Sequence, residues 1–351
     1  MWCRERGGLM GRKTQQNDIT SPELLAKVNH ENIRLLNDFI VYLKSIQRSD
    51  KTIIGYKNDI EIFFVWNLIN NKNKFFIELS KRDLILYQNY LITENKNSPA
   101  RIRRMKSALS SMSNYIENIL DQEYENFKSI VKKVENPVNN PVREKTIFTD
   151  EQLETLLYQL VYKKKYLEAC VVALAMCSGA RKSELLEFKV DYFKDENIIY
   201  GSLYKTHEKI KTKGRGLGKF IHKYILVKEF KPYLDLWLAE RERLGIDSEY
   251  LFEKKNKNGE SKSIKICTMD SWAITFSKML GVPFYFHALR HYFTTHLARL
   301  NIPDSVIQEI VGWESSEMVK LYKDIDTDEQ LGKYFDENGI KQVEQGGLDK
   351  L

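Results

Sequence analysis

The segment His287-Ala288-Leu289-Arg290-His291 sets side chains of related chemistry at helical spacing. Residues three and four apart share a helix face, so His287, Arg290 and His291 are expected on one cationic, hydrogen-bonding edge. Such an edge suits a phosphate. A guanidinium holds two phosphate oxygens at once, and an imidazole beside it donates to a third or carries a proton. Downstream, Gly312-Trp313 and then Tyr322, nine positions after the tryptophan, add an indole N–H and a phenol. A phenol ionises only near pH 10 or about that value, so it becomes a nucleophile where positive charge stabilises its anion. This set has the composition of a phosphoryl-transfer site.

The elements that must position these residues lie upstream. Leu167 to Met176 is nearly all apolar and predicts a buried helix ended by Cys177-Ser178-Gly179, with Ala180-Arg181-Lys182-Ser183-Glu184 directly beyond. An arginine between a core helix and a glycine turn is held firmly, as an oriented phosphate clamp must be. Taken alone, it equally suits a cap or a salt bridge. Residues 197–227 switch to period two, predicting strands at 198–204, 208–213 and 219–227. Lys209, Lys211 and Lys213 alternate with Ile210 and Thr212, so one face of the second strand is cationic. Lysines of that kind bind an anion, or guard an edge strand against aggregation. The turn 214–218, GRGLG, gives the backbone freedom a hairpin needs. Helices are expected at 228–243, 271–280 and 303–311, with 254–263 a polar loop.

The first half of the chain reads as helical. Residues 1–28 are polar and without periodicity, predicting a flexible tail. Apolar stripes then mark helices containing Ile33, Leu36, Phe39, Ile40 and Leu43; Tyr56, Ile60, Phe63, Phe64 and Trp66; Leu84, Tyr87 and Leu91; and Ile102, Met105, Leu109, Met112 and Ile116. Starts are signalled near Ser49, by the capping box Ser80-x-x-Asp83, and near Ser98. Lys51 and Thr52 stand where free amide N–H groups attract anions, and Arg101, Arg103, Arg104 and Lys106 cluster on the fourth helix. A lone basic cluster is more often a solvated face. Residues 136–147, NPVNNPVREKTI, hold two prolines and three asparagines between helical patterns and mark a linker. Thr149-x-x-Gln152 caps the next helix.

Of 351 residues, 42% are hydrophobic and 29% charged, and the net charge is +7. These values fit a folded chain of two domains rather than a disordered one, and the charge is only mildly basic, so what decides is where it clusters. Cys3, Cys170, Cys177 and Cys267 show no metal-ligand spacing and read as reduced thiols of a cytoplasmic protein. No apolar run approaches the roughly 18 residues of a membrane span, and no secretory signal precedes residue 29.

The segments FHALRHYFTTHL and IVGWESSEMVKLY, with ARKSELL upstream, resemble the tyrosine recombinases, also called the phage integrase family. The resemblance spans about residues 31 to 325 and is strongest in those three segments. It implies a mainly α fold with a small antiparallel β-sheet: a helical core-binding, DNA-binding domain over 29–135, the linker 136–147, a mixed catalytic domain over 148–325 and a docking segment over 326–351. It implies that Tyr322 attacks a DNA phosphate to form a 3'-phosphotyrosyl bond, with Arg181, His287, Arg290 and Trp313 around it. The family's lysine falls at Lys213, with Lys211 the reserve, while Glu184 and His291 support the site. Trp313 stands where histidine is commoner; an indole donates a hydrogen bond but shuttles no proton.

The same resemblance makes Lys51, Thr52, Arg101, Arg103, Arg104, Lys106, Lys209 and Lys211 DNA-contact candidates. It further implies a tetramer on double-stranded recombination sites, accessory DNA-bending or directionality proteins, association with the nucleoid, and no cofactor, metal or ATP. A type IB topoisomerase, or a non-catalytic DNA-binding protein on the same fold, are the rival readings.

Overall fold

The computed structural model describes residues 19–138, 146–212, 218–256, 258–313, 315, 317 and 319, with the backbone of 335–336 and 339–340. Lys213 and Tyr322 lie outside the described residues, as does most of the expected docking segment. The described chain divides into two units, residues 19–138 and residues 146 onward, each with its own core.

The first unit is a bundle of α1 (Pro22–Leu25), α2 (His30–Ser45), α3 (Asp50–Asn70), α4 (Lys81–Thr93) and α5 (Pro99–Ile119). Its starts follow from local chemistry. Ser49 and Ser98 accept hydrogen bonds from the amides of Thr52 and Arg101, and Ser80 with Asp83 forms a reciprocal capping box. Phe39, Ile60, Phe63, Phe64, Trp66, Tyr87, Met105 and Ile116 fill the core, which accounts for the stripes read from sequence. The expected tail is too long at its inner end. Ser21 caps α1 and Val28 is buried, because this short apolar segment packs on the bundle.

The second unit contains α6 (Asp150–Tyr162), α7 (Tyr166–Ser178), α8 (Lys182–Leu185), α9 (Val227–Leu244), α10 (Ile266–Leu280), α11 (Phe286–Arg299) and α12 (Asp304–Val311). Helix α7 is buried almost throughout and packs against α6, α9 and α11. Thr149 and Gln152 form the expected capping box of α6.

The mainly α expectation holds, but the β part departs from it in detail. The predicted strand 198–204 is a hairpin of β1 (Ile198–Ile199) and β2 (Leu203–Lys205), turned by Tyr200 and Gly201 at positive φ. The strand expected over 208–213 starts two residues later, as β3 (Ile210–Thr212), since Glu208 is drawn off by Lys189 and the Tyr192 hydroxyl; Lys213 lies outside the described residues. The strand expected over 219–227 is two strands, β4 (Lys219–Ile221) pairing β3 and β5 (Tyr224–Leu226) pairing β2. It breaks at His222-Lys223, where Thr206 takes over both backbone partners: Thr206 N–H donates to Lys223 O and Lys223 N–H to the Thr206 hydroxyl, each at 3.0 Å.

The polar segment 254–263 is not a plain loop. It holds the hairpin of β6 (Glu253–Lys255) and β7 (Ser261–Ser263), whose turn is built by the Asn256 side chain accepting from the amides of Asn258 and Glu260. Helix α10 starts five residues earlier than expected, at Ile266 rather than 271. Within 326–351, β8 (Phe335–Asp336) and β9 (Gly339–Ile340) pair with each other.

Candidate active site

Glu184 is the hub. It sits in the one-turn helix α8, fully buried, and its contacts come from the cap of its own helix, from β3 and from Lys223. Its Oε1 accepts from Arg181 Nη1 at 2.7 Å and from the Thr212 hydroxyl at 2.6 Å. Its Oε2 accepts from the Arg181 backbone N–H at 3.0 Å and from Lys223 Nζ at 2.7 Å. Arg290 Nη1 stands 4.0 Å from that same oxygen. Burial alone would raise this carboxyl. The Lys223 ammonium, by charge and hydrogen bond, with the Thr212 hydroxyl and the Arg181 amide, outweighs burial and holds it down at about 2.

Arg181 precedes α8 and follows Gly179, which ends α7 in the left-handed conformation at φ 59°. A Cβ on Gly179 would come within 2.6 Å of Phe293 Cδ1, so both the turn and the packing require glycine. Arg181 Nη1 also donates to the Thr212 hydroxyl at 2.8 Å, tying α8 to strand β3. Thr212 immediately precedes Lys213 in the chain.

Arg290 comes from the first turns of α11. Its guanidinium turns inward instead of sharing an open edge with His287: Nη1 donates to Gly179 O at 2.7 Å and Nη2 to Val311 O at 3.2 Å. It is 1% exposed, and its Cζ lies 4.9 Å from the centroid of the Trp313 ring. Trp313 is buried with Phe293, Leu297, Ile307, Val311 and Val319. The glycine before it, Gly312, has φ 81° and leaves no room for a Cβ, which would meet Ile221 Cδ1 at 2.1 Å. His287, second residue of α11, is exposed beside the helix N-terminus; its ring meets that of the buried His291 edge-on at 5.6 Å.

Four of the six residues expected to do chemistry, Arg181, His287, Arg290 and Trp313, therefore lie on the described part of one unit. Glu184 joins them as expected. Two contributors escaped the sequence reading, Thr212 and Lys223. Lys223 did leave a signal, since it shares the parity of Ile221 and Ile225 on the inward face of the strand pattern. Burial presses its ammonium down to about 8 against the pull of Glu184, with Arg290 and Arg181 adding to the lowering.

The DNA-contact candidates fare differently. Lys51, Lys209 and Lys211 are exposed. Thr52 is engaged with its cap, its hydroxyl 2.9 Å from that of Ser49. On α5, Arg101 and Arg104 pair with the buried carboxylate of Asp59 at 2.6 and 3.6 Å, and Arg103 donates to Pro137 O at 2.8 Å. Lys106 is no surface residue. It is buried and donates to Gln88 Oε1, Val134 O and Glu135 O, so its charge is committed to closing the bundle rather than offered to a duplex.

The pattern defining the phage integrase family matches residues 146–329, and that of a phage integrase N-terminal SAM-like domain matches residues 35–126. The SPbeta prophage-derived recombinase-like protein YomM of Bacillus subtilis is 30% identical over 275 residues, 78% of either chain. Tyrosine recombinase XerA of Pyrococcus furiosus is 28% identical over 232 residues, covering 64% of this chain and 72% of its own. The chain belongs to the phage integrase family, the tyrosine recombinases. Among solved structures, XerH bound to palindromic difH substrate in a post-cleavage complex has the same fold at TM-score 0.62 and 18% identity, over 88% of this chain and 96% of that one. A lambda integrase dimer on a COC' core site matches at TM-score 0.58 and 19% identity, over 83% and 95%.

Proposed function

We propose that this protein is a site-specific DNA recombinase that cuts and rejoins strands through Tyr322. The observation that carries the reading is the convergence of Arg181 and Arg290, 109 positions apart, on the single carboxylate of Glu184. Three cations, counting Lys223, stand around this one carboxylate. A site of that charge favours a phosphate and the more highly charged phosphorane derived from it.

In the proposed reaction the Tyr322 phenol oxygen attacks the scissile phosphorus and the bond to the 5' oxygen breaks. Lys213 gives that leaving oxygen its proton, so the products are a 3'-phosphotyrosyl bond and a 5'-hydroxyl. His287, exposed at the start of α11, assists proton transfer by taking up the phenol proton, and the Trp313 indole N–H donates a hydrogen bond. Arg181 and Arg290 neutralise the phosphate oxygens. The covalent ester keeps the bond energy, so a second 5'-hydroxyl reverses the step on a new strand without ATP, through a Holliday junction. The roles of Tyr322 and Lys213 rest on the family pattern, as both lie outside the described residues. Two duplex sites held by a tetramer, the helical unit gripping one side of the DNA and the segment after Tyr322 docking on a neighbour, complete the reading.

The test is a nicked suicide duplex carrying the candidate site, incubated with the protein in EDTA and run on a denaturing gel. A protein band retarded by attached DNA, lost in Tyr322→Phe, supports the reading. A duplex that is bound yet yields no adduct leaves a non-catalytic DNA-binding protein in its place.

A further inference from the structure

The established pattern of the site has no place for Lys223, yet this residue is among the largest fully buried side chains of the chain. A buried ion pair is a poor way to gain stability, since well-packed apolar side chains in its place are often as stable or better. Its place against Glu184 therefore calls for another reason. The position is fixed from both sides. Its backbone is clamped to Thr206 by two hydrogen bonds, and it stands where the chain leaves β4 for β5. From there the side chain reaches Glu184 Oε2 at 2.7 Å and Val311 O at 3.5 Å. Val311 O also accepts from Arg290, and Val311 is followed directly by Gly312-Trp313, on which Ile221 of β4 abuts.

We propose that Lys223 is a positioning residue for strand cleavage: it occupies the inner oxygen of Glu184 and the Val311 carbonyl together, setting the two arginines and the Trp313 corner relative to one another. The proposal rests on the reading that Arg181 and Arg290 receive the scissile phosphate. Two consequences follow from the distances. With Lys223 in place, Glu184 is satisfied on Oε2, and Arg290 stays 4.0 Å away on its own carbonyl partners. Without the ammonium, the carboxylate draws Arg290 toward the vacated place and competes with DNA phosphate for both guanidiniums.

The test compares wild type, Lys223→Met, Lys223→Gln and the double variant K223M/E184Q in single-turnover cleavage of the nicked suicide duplex. Reactions run well below each protein's melting transition, and affinity is measured on uncut duplex in the Tyr322→Phe background. The single variants are expected to bind DNA within about threefold of wild type while cleaving slower by on the order of 100-fold, the scale of a small misplacement of catalytic groups. The double variant is expected to cleave at least about tenfold faster than Lys223→Met, because glutamine does not compete as an anion for the arginines. A purely structural lysine would lower the melting temperature and leave these rates unchanged. Equal cleavage by wild type and either folded single variant overturns the proposal, as does a double variant no faster than Lys223→Met. Using two single variants keeps the comparison available if one does not fold. Absence of an adduct from wild type itself sinks the recombinase reading beneath it, which is a distinguishable failure.

Discussion

At Glu184 a single carboxylate carries contacts from α8, β3, Lys223 and α11, so its ionisation is coupled to the order of the whole site. Its folded value near 2 lies below the unfolded carboxyl value of 4.5. The sign follows: the stabilisation is complete above pH 4.5 and is lost as pH falls toward 2. For a shift of this size it amounts to about 3 kcal/mol. Denaturant unfolding measured from pH 7 to 2 should therefore fall more steeply for wild type than for Glu184→Gln over that window; parallel curves would refute the coupling. Much of the residue-level chemistry could be read in the sequence. Arg181, Glu184, His287, Arg290 and Trp313 sit in short local motifs. Lys223 could not be read the same way, because a lysine in a strand is judged by its charge, whereas here its parity with Ile221 and Ile225 decides its direction. Lys106 misled for the opposite reason: a helical charge cluster looks alike from outside whether its members face water or a turn of backbone carbonyls.

Among the elements, helix starts were legible because caps are local. Ser49, Ser80, Ser98 and Thr149 each accept the expected backbone N–H. The hairpins were not. Isoleucine-rich 198–204 conceals its turn at Tyr200-Gly201, and the β6–β7 hairpin depends on Asn256 rather than on apolar alternation. Two element-level predictions follow. Lys106→Met leaves the Val134 and Glu135 carbonyls without their ammonium donor, and should cost on the order of 2 kcal/mol in denaturant unfolding. Binding to DNA by the folded variant should remain within about threefold of wild type; a large loss of affinity with unchanged stability would return Lys106 to the DNA face. Gly312→Ala imposes both a left-handed backbone on alanine and a 2.1 Å approach to Ile221. It should slow single-turnover cleavage by on the order of 100-fold, whereas Ala at exposed Gly259, with open space around its Cβ position, should leave cleavage unchanged.

On the scale of the molecule, the two units have separate cores, one centred on Phe39, Phe63, Trp66 and Tyr87 and the other on α7. Calorimetry should resolve two unfolding transitions. Leu109→Ala should lower only the first unit's transition and Leu174→Ala only the second's, each by roughly 2 to 5 kcal/mol of local stability. A single transition moved by both substitutions would contradict this. If the basic side chains meet DNA phosphates, affinity should fall linearly in log–log form with salt, and Lys211→Ala should reduce the slope by roughly one. Separate cores also have an evolutionary consequence. A lineage can overhaul the side chains of the helical half without repacking the half that holds Glu184.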